Sequence, residues 1–200
     1  MSVESKPVGR RERNKQEKLE RITKAASELF AKHGVDEVTT QQIAEAADIG
    51  TGTLFLYART KGELLLLVQN YHYAQALEKG QKAANKTKNT VDGLMALLRP
   101  VVECNRVQVE NGRTYLREMV FGDPSEPHHA KALEIVAKTQ QAVGDLLGER
   151  EEIEHATAST IAQVISSIMF LDLAASINAQ SSVAEILQRI RLQIEVILSR

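Results

Sequence analysis

The 200-residue sequence has a single cysteine, Cys104, no tryptophan, and only 4% aromatic residues. One cysteine excludes an intrachain disulfide, which fits a reducing compartment. No apolar run approaches the roughly 18 residues that a membrane-spanning helix needs, and the N-terminal stretch lacks the apolar segment of a secretory signal. Hydrophobic residues make up 43% and charged residues 26%, the balance of an ordinary globular protein. We therefore expect a cytoplasmic protein with no membrane partner.

The usual signatures of enzymes and metal sites are also missing. The sequence contains no glycine-rich phosphate loop, no nucleophile elbow and no paired metal ligands, so we predict neither catalysis nor a cofactor. His128 and His129 are adjacent, and neighbouring residues on a helix point about 100° apart rather than sharing the i, i+4 face of a zinc helix. We expect this pair to be exposed at the start of a helix. Cys104 has no visible partner for redox chemistry, and a buried structural thiol is the better interpretation.

The basic residues are concentrated near the N-terminus, although the formal net charge is only −1. Residues 10–24 contain seven Lys and Arg against three Glu, and Arg10, Arg11 and Arg13 open this basic arm. Local positive charge attracts phosphate whatever the global balance, because counterion release depends on the contacts made. A solvated tail that serves only solubility explains the same pattern.

Apolar residues recur at helical spacing along nearly the whole chain, and only four prolines interrupt it. The sequence therefore predicts an all-α fold. Gly34 and Gly148 are read as helix ends, and Pro100 is expected to kink or split the helix that contains it. The predicted helices span 14–33, 41–47, 51–57, 62–85, 91–111, 113–121 and 126–147, followed by two strongly apolar C-terminal helices.

A brief break in the helical pattern, residues 48–50, separates two short helices. Thr39 or Thr40 can cap the first helix. Ile49 is placed to fill the angle between the helices, and Leu54 is the apolar anchor of the second. Helix, tight turn and short helix is the helix-turn-helix plan, in which the second helix enters a DNA major groove.

This segment resembles the DNA-binding region of the TetR family of one-component transcriptional regulators. The resemblance covers about 50 residues, through the start of the fourth helix. Asp48, Gly50, Phe55 and Ala58 depart from the family pattern, and an aspartate tolerates the turn conformation that the usual glycine adopts. The matching residues are Thr40, Ile43, Ala44, Ala47, Ile49, Gly52, Thr53, Leu54, Tyr57, Lys61 and Leu64.

The resemblance implies an N-terminal arm and DNA-binding domain at residues 1–60 and an effector-binding and dimerisation domain at 61–200. It also implies a repressor that binds a palindromic operator as a homodimer and is released by a small-molecule effector. A helical protein-interaction module, in which the helix-turn-helix is only scaffold and the basic arm binds an acidic partner, stays open. Site-specific DNA binding separates the two.

Residue by residue, the resemblance implies roles in DNA binding. Gln41, Thr51 and Gly52 are expected to face base edges, and Phe55 offers only an apolar contact. Thr40, Thr53, Tyr57 and Lys61 are expected at phosphates, and Arg10, Arg11 and Arg13 along the backbone or in a minor groove. Thr40 and Tyr57 also have purely structural interpretations, as a helix cap and as a packing residue.

Polar and aromatic residues on the middle helices are the candidates for effector binding, although Met95, Met119 and Phe170 have a helical spacing that is more often that of a plain core. Asp172 interrupts an apolar stretch, where an unpaired carboxylate is costly. It either binds a cationic effector or pairs with an arginine across a dimer. The full set is Tyr71, Met95, Cys104, Gln108, Tyr115, Met119, Phe121, Phe170 and Asp172.

The two C-terminal helices carry apolar residues at spacings of three and four, and Ser182 with Glu185 forms a capping-box pattern. They can pack within one chain or against a second copy, and we favour a four-helix seam between two chains. The predicted seam consists of Ile161, Val164, Ile165, Ile168, Val183, Ile186, Leu187, Ile190 and Ile194.

Overall fold

The computed structural model describes residues 9–199, which form α-helices joined by short connections, with no strand among them. The all-α prediction is confirmed. The helices are α1 (Arg10–His33), α2 (Thr40–Ala46), α3 (Thr51–Leu54), α4 (Lys61–Ala84), α5 (Thr90–Arg106), α6 (Val109–Phe121), α7 (Pro127–Glu151), α8 (His155–Ala174) and α9 (Val183–Leu198), with a 3₁₀ turn at Ser176–Asn178.

The first three helices form a small unit, here called the head (residues 10–58). α1 packs against α2 and α4, and α2 packs against α3. Ile22 and Phe30 of α1, Ile43 of α2 and Leu54 of α3 are buried in its centre. Gly34 ends α1 as predicted, with φ of 79°, a left-handed conformation that favours glycine.

The remaining helices, α4 to α9, form the bundle. α4 packs along α5 and α7, and α9 lies against α5 and α8. Two arginines secure its turns: Arg150 donates to the carbonyl oxygens of Ala84 and Asn89, and Arg106 donates to that of Ser181 at 2.5 Å. Of these carbonyls, that of Ala84 is in the last turn of α4, where a helix leaves carbonyl groups without an intrahelical partner.

Several predicted helix boundaries are wrong, and the first is the start of α1, which begins at Arg10 rather than at residue 14. Pro100 lies inside one continuous α5, and the break comes after Arg106, so α6 begins at Val109 rather than 113. α7 runs through Gly148 to Glu151 and ends where Glu152 takes a left-handed φ of 52°. α3 stops at Leu54, three residues earlier than predicted, and continues as turns.

Candidate functional site

The turn between α2 and α3 has the expected geometry. Thr39, not Thr40, caps α2, and together with Gln42 it forms a capping box. Asp48 takes a left-handed φ of 52°, as the sequence predicts for a residue in place of glycine. Arg21 of α1 donates to the Asp48 carboxylate at 3.2 Å, which ties the turn to the first helix.

Leu54 fixes which side of α3 faces outward. Its side chain is fully buried in the head, so Gly52 and Phe55 are turned to the surface, where Phe55 is 43% exposed. A Cβ atom at position 52 would meet no atom within 4 Å. Thr51 and Thr53 are half-buried beside them. α3 is therefore a short ridge on the protein surface, not a buried scaffold element.

The other predicted DNA-binding residues surround this ridge, and some have partners within the chain. Gln41 is exposed and bonds to Glu45 at 2.9 Å. Tyr57 donates from its hydroxyl to the Lys15 carbonyl at 3.3 Å, and the Lys61 ammonium donates to the Asp36 carbonyl at 3.1 Å. Thr40 is the half-buried first residue of α2. Arg10, Arg11 and Arg13 are exposed in the first turn of α1.

Leu56 was missed by the sequence analysis. It follows Phe55 in the turn after α3 and is 82% exposed, and it lies beside the ridge as an uncovered apolar side chain. Its only signal in the sequence is its position between two aromatic residues, which is equally compatible with burial.

A cavity of about 320 Å³ lies among α5, α6, α7 and α8. Three of the predicted effector residues line it: Tyr115, Met119 and Phe170. The rest of its lining is mainly aliphatic, with hydroxyl and amide groups but no charged residue among the described residues that form it. These other residues are Tyr73, Val101, Leu116, Val120, Ile135, Val136, Thr139, Gln140, Ser166, Ser167, Met169 and Leu173.

The remaining predicted effector residues do not join this cavity. Cys104 and Gln108 line a separate crevice of about 420 Å³ between α1, α4, α5 and α6. Burial raises the pKa of the Cys104 thiol to about 11, and Gln108 caps α6. Tyr71 and Phe121 are 64% and 78% exposed.

Met95, in contrast, is buried in α5 away from either space. It packs within the hydrophobic core of the chain. This is the plain core position that the sequence also allowed for it.

Asp172, which the sequence assigned to a cationic effector or to an arginine across a dimer, has partners within its own chain. Its carboxylate pairs with Arg189 of its own chain, at 3.5 Å, and accepts a hydrogen bond from Gln193 at 2.8 Å. Its backbone carbonyl accepts from Asn178. Because partners on α9 neutralise it, this buried carboxylate joins α8 to α9 within one chain.

Five of the nine residues in the predicted dimer seam are in the wrong place for a contact between two chains. Ile165, Ile186, Leu187, Ile190 and Ile194 are buried inside the chain's own bundle, so these five side chains offer no open face. Ile161, Ile168 and Val183 are half-buried, and Val164 is 43% exposed.

The exposed apolar residues of α8 and α9 are instead Val164, Leu171, Leu192 and Val196, here called the α8–α9 face. By length and composition alone, α8 is the one helix within residues 9–199 that could cross a membrane. A lone helix of this kind is weak evidence for a membrane.

The histidine pair at the start of α7 is not exposed as predicted. His129 is 3% exposed, and the His128 ring nitrogen Nε2 lies 2.9 Å from the Tyr57 carbonyl oxygen. The backbone amide of His128 donates to the Glu63 carboxylate. Burial raises the pKa of Glu63, and the nearby His128 opposes that shift.

Comparisons with known proteins agree with this geometry. Residues 22–68 match the family model described as bacterial regulatory proteins, tetR family. The transcriptional repressor KstR of Rhodococcus jostii is similar to this chain, with 24% identity over 91% of this chain and 83% of that protein. A Bacillus subtilis regulator, YerO, is 38% identical over 78 residues, which are 39% of this chain and 25% of YerO.

Among solved structures, Thermus thermophilus FadR, a TetR-family transcriptional repressor in complex with lauroyl-CoA, superimposes with a TM-score of 0.70 and 25% identity. The match covers 91% of this chain and 96% of that one.

Proposed function

The chain belongs to the TetR family of bacterial regulatory proteins, and on that premise we propose that it is a ligand-responsive repressor that binds a palindromic operator as a homodimer. The observation that carries this proposal is the surface ridge of α3, with Gly52 open and Leu54 buried beneath it. In this proposal, residues 1–60 form the DNA-binding domain and residues 61–200 form the effector-binding and dimerisation domain.

In the proposed complex, α3 enters the major groove with Thr51 and Gly52 against base edges. Gln41 pairs with a base edge after it releases Glu45, and Phe55 contacts a thymine methyl. The phosphate contacts come from Thr40, Thr53, Tyr57 and Lys61. Thr40 and Lys61 are the first residues of α2 and α4, where a helix start favours an anion. Arg10, Arg11 and Arg13 extend along the duplex from the first turn of α1.

Two copies are proposed to meet through the α8–α9 face, which is the uncovered apolar surface nearest to the predicted seam. Val164 and Leu171 lie seven residues apart on α8, and Leu192 and Val196 lie four apart on α9, so each pair shares a side of its helix. A symmetric four-helix contact would cover both pairs and would set two heads at half-sites about one helical turn, or a multiple, apart.

The proposed effector occupies the cavity of about 320 Å³ between α5 and α8, a volume at the lower end of small-molecule pockets. Its aliphatic lining, with hydroxyl and amide groups but no described charge, suits an apolar chain rather than an ion. FadR of Thermus thermophilus is described in complex with lauroyl-CoA, so the first ligand to test is lauroyl-CoA with its acyl chain in this cavity. To release DNA, such a ligand must bind the DNA-incompetent state more tightly.

Selection from a randomised duplex library at physiological salt tests the DNA-binding proposal. We expect enrichment of one palindrome and a site-specific gel-shift band. Enrichment of no sequence, together with only salt-sensitive binding, would favour the alternative interaction module, because phosphate attraction alone does not discriminate among sequences.

Titration of the enriched complex with lauroyl-CoA tests the effector proposal. We expect the ligand to release DNA from the wild type but not from Ser166→Phe, which would fill part of the cavity. Release from both proteins alike would place the effect outside the cavity. A lack of release from the wild type would exclude this ligand and leave operator binding intact.

A further inference from the structure

A continuous path of hydrogen bonds connects the cavity with the end of the recognition segment, which is α3 with the turns that follow it (residues 51–58). It begins at Tyr115 of α6, which lines the cavity and stacks on Tyr73 with ring centroids 4.2 Å apart. The Tyr115 hydroxyl donates to the Asn70 side-chain oxygen on α4 at 2.9 Å. The Asn70 amide nitrogen donates to the His128 backbone carbonyl at 2.8 Å.

The path then passes through His128 to the head. The ring nitrogen Nε2 of His128 lies 2.9 Å from the Tyr57 carbonyl oxygen, and because a carbonyl oxygen only accepts, Nε2 is the donor and carries a ring hydrogen. Tyr115 is 3% and Asn70 6% exposed. Because water does not reach these two groups, a bond lost between them is not replaced without movement.

A hydrogen bond to the Tyr57 carbonyl can restrain the orientation of α3, because Tyr57 lies in the turns that directly follow this helix. The Tyr57 amide bonds to the Leu54 carbonyl at 2.9 Å, and Ala58 bonds to the same oxygen. α3 itself contains only four residues, Thr51–Leu54, so these turns fix how the chain leaves it. A bond from α7 to the Tyr57 carbonyl therefore anchors the recognition segment to the bundle.

The same corner contains a second link between head and bundle, an ion pair from Arg59 to Glu126 at 2.8 Å. The Arg59 side chain is 75% exposed and that of Glu126 is 12% exposed, so solvent reaches the arginine and screens the pair in part. The buried path through Asn70 is the stronger link of the two.

We propose that Tyr115 and His128 are positioning residues that hold the recognition segment from the wall of the cavity. A ligand that draws the Tyr115 hydroxyl away from Asn70 opens the path and releases the Tyr57 carbonyl. This assignment rests on the proposed function, since it names the route by which occupancy of the cavity acts on the head.

Hydrogen exchange of the full chain, without DNA and without ligand, tests the path. Tyr115→Phe reproduces the loss of the hydroxyl and keeps the ring stack, and His128→Leu removes the ring donor. Both variants should speed exchange of the Leu56, Tyr57 and Ala58 amides roughly five-fold, the effect of one lost hydrogen bond on local opening. His128→Gln places an amide donor near the position of Nε2 and should restore protection.

Tyr73→Phe is the matched control. It removes an equally buried hydroxyl from the other ring of the stack, but that hydroxyl is bonded to Asn105 at 2.7 Å and not to Asn70. It should leave exchange at residues 56–58 unchanged.

Equal acceleration in Tyr73→Phe, or none in Tyr115→Phe, overturns the assignment. The exchange measurement needs no operator. A failure to select any operator would therefore contradict the proposed function but would not change the exchange rates that test this path.

Discussion

The side-chain oxygen of Asn111 accepts a hydrogen bond from the Val35 amide at 2.7 Å, although the two residues are 76 positions apart. The side-chain nitrogen of Asn111 donates to the Phe30 carbonyl at 2.9 Å. One carboxamide on α6 thus satisfies a carbonyl and an amide on either side of Gly34, where α1 ends. Asn111 is 2% exposed, so α6 holds the head at this point as well as lining the cavity one turn later.

Asn111→Asp should loosen the head. A carboxylate can still accept from Val35 but cannot donate to Phe30, and it places negative charge against a carbonyl oxygen. We expect a loss of about 1–3 kcal/mol in the free energy of unfolding and faster hydrogen exchange near residue 35, both measurable without DNA.

Asn178→Ala is the control for Asn111→Asp. Asn178 is a buried asparagine whose side chain donates to Asp172, far from the head. It should destabilise the chain without faster exchange at residue 35. Equal exchange at residue 35 in the two variants would show that Asn111 has no local role in holding the head.

Sequence reasoning located the head well because its signals are local. A capping pattern at Thr39, a left-handed residue at position 48 and one apolar anchor at Leu54 each act within a few residues. The end of α3 was predicted three residues too late because the chain tightens after Leu54: the Leu56 amide bonds to the Thr53 carbonyl and the Tyr57 amide to the Leu54 carbonyl, three residues back rather than four. A propensity pattern does not distinguish those two geometries.

The bundle could not be predicted to the same depth because its contacts are distant in sequence. α8 is apolar on most sides, so its pattern does not tell the buried Ile165 from the 66% exposed Leu171. Asp172 forms an ion pair with Arg189 on the next helix of the same chain. His128 contacts the carbonyl of Tyr57, which is 71 residues away in the sequence. Only the packing of helices reveals such pairs.

Gly52→Leu should separate stability from DNA binding. A Cβ atom at position 52 meets nothing within 4 Å in the free protein, Gly52 is exposed, and leucine is a better helix residue than glycine. The free energy of unfolding should therefore stay equal or rise, while operator affinity falls at least about tenfold because the side chain occupies the space of a base edge.

Chemical denaturation and gel shifts measure the two effects of Gly52→Leu. Ala137→Leu, which adds the same bulk to the exposed surface of α7, should change neither. If Gly52→Leu bound the operator as tightly as the wild type, α3 would not be the helix that enters the major groove.

Lys61→Ala should weaken binding to every operator variant by a similar factor. An ammonium at a phosphate contributes through counterion release, so the slope of log K against log salt should become shallower by about 0.9. Stability should fall slightly, since Lys61 also donates to the Asp36 carbonyl.

Lys138→Ala serves as the control for Lys61→Ala, because Lys138 is exposed on α7 and paired with Glu134. It should leave the salt slope unchanged. If Lys61→Ala instead altered discrimination among operator variants, the residue would be reading bases.

Leu171→Glu should produce monomers that remain folded. Leu171 is 66% exposed on the α8–α9 face, so a carboxylate there costs little within one chain but is unfavourable in a contact between two. Light scattering should report half the mass of the wild type, with an unchanged circular dichroism spectrum.

Val107→Glu is the comparison for Leu171→Glu. Val107 is 84% exposed and lies at the α5–α6 turn, away from that face, so its replacement should leave the dimer intact. A dimeric Leu171→Glu variant would mean that the copies meet elsewhere.

The thiol of Cys104 should be slow to react at neutral pH. Burial raises its pKa from 9.0 to about 11, and only the thiolate is nucleophilic, so its reactive fraction near pH 7 is roughly a hundredfold below that of a thiol at the ordinary value. Between pH 7 and 9 the rate of alkylation by iodoacetamide should rise about tenfold per pH unit without a plateau. Ser125→Cys in a Cys104→Ser background supplies an exposed thiol for comparison. A fast reaction of Cys104 that levels off below pH 8 would instead identify it as a candidate redox sensor, because such sensors require a lowered pKa.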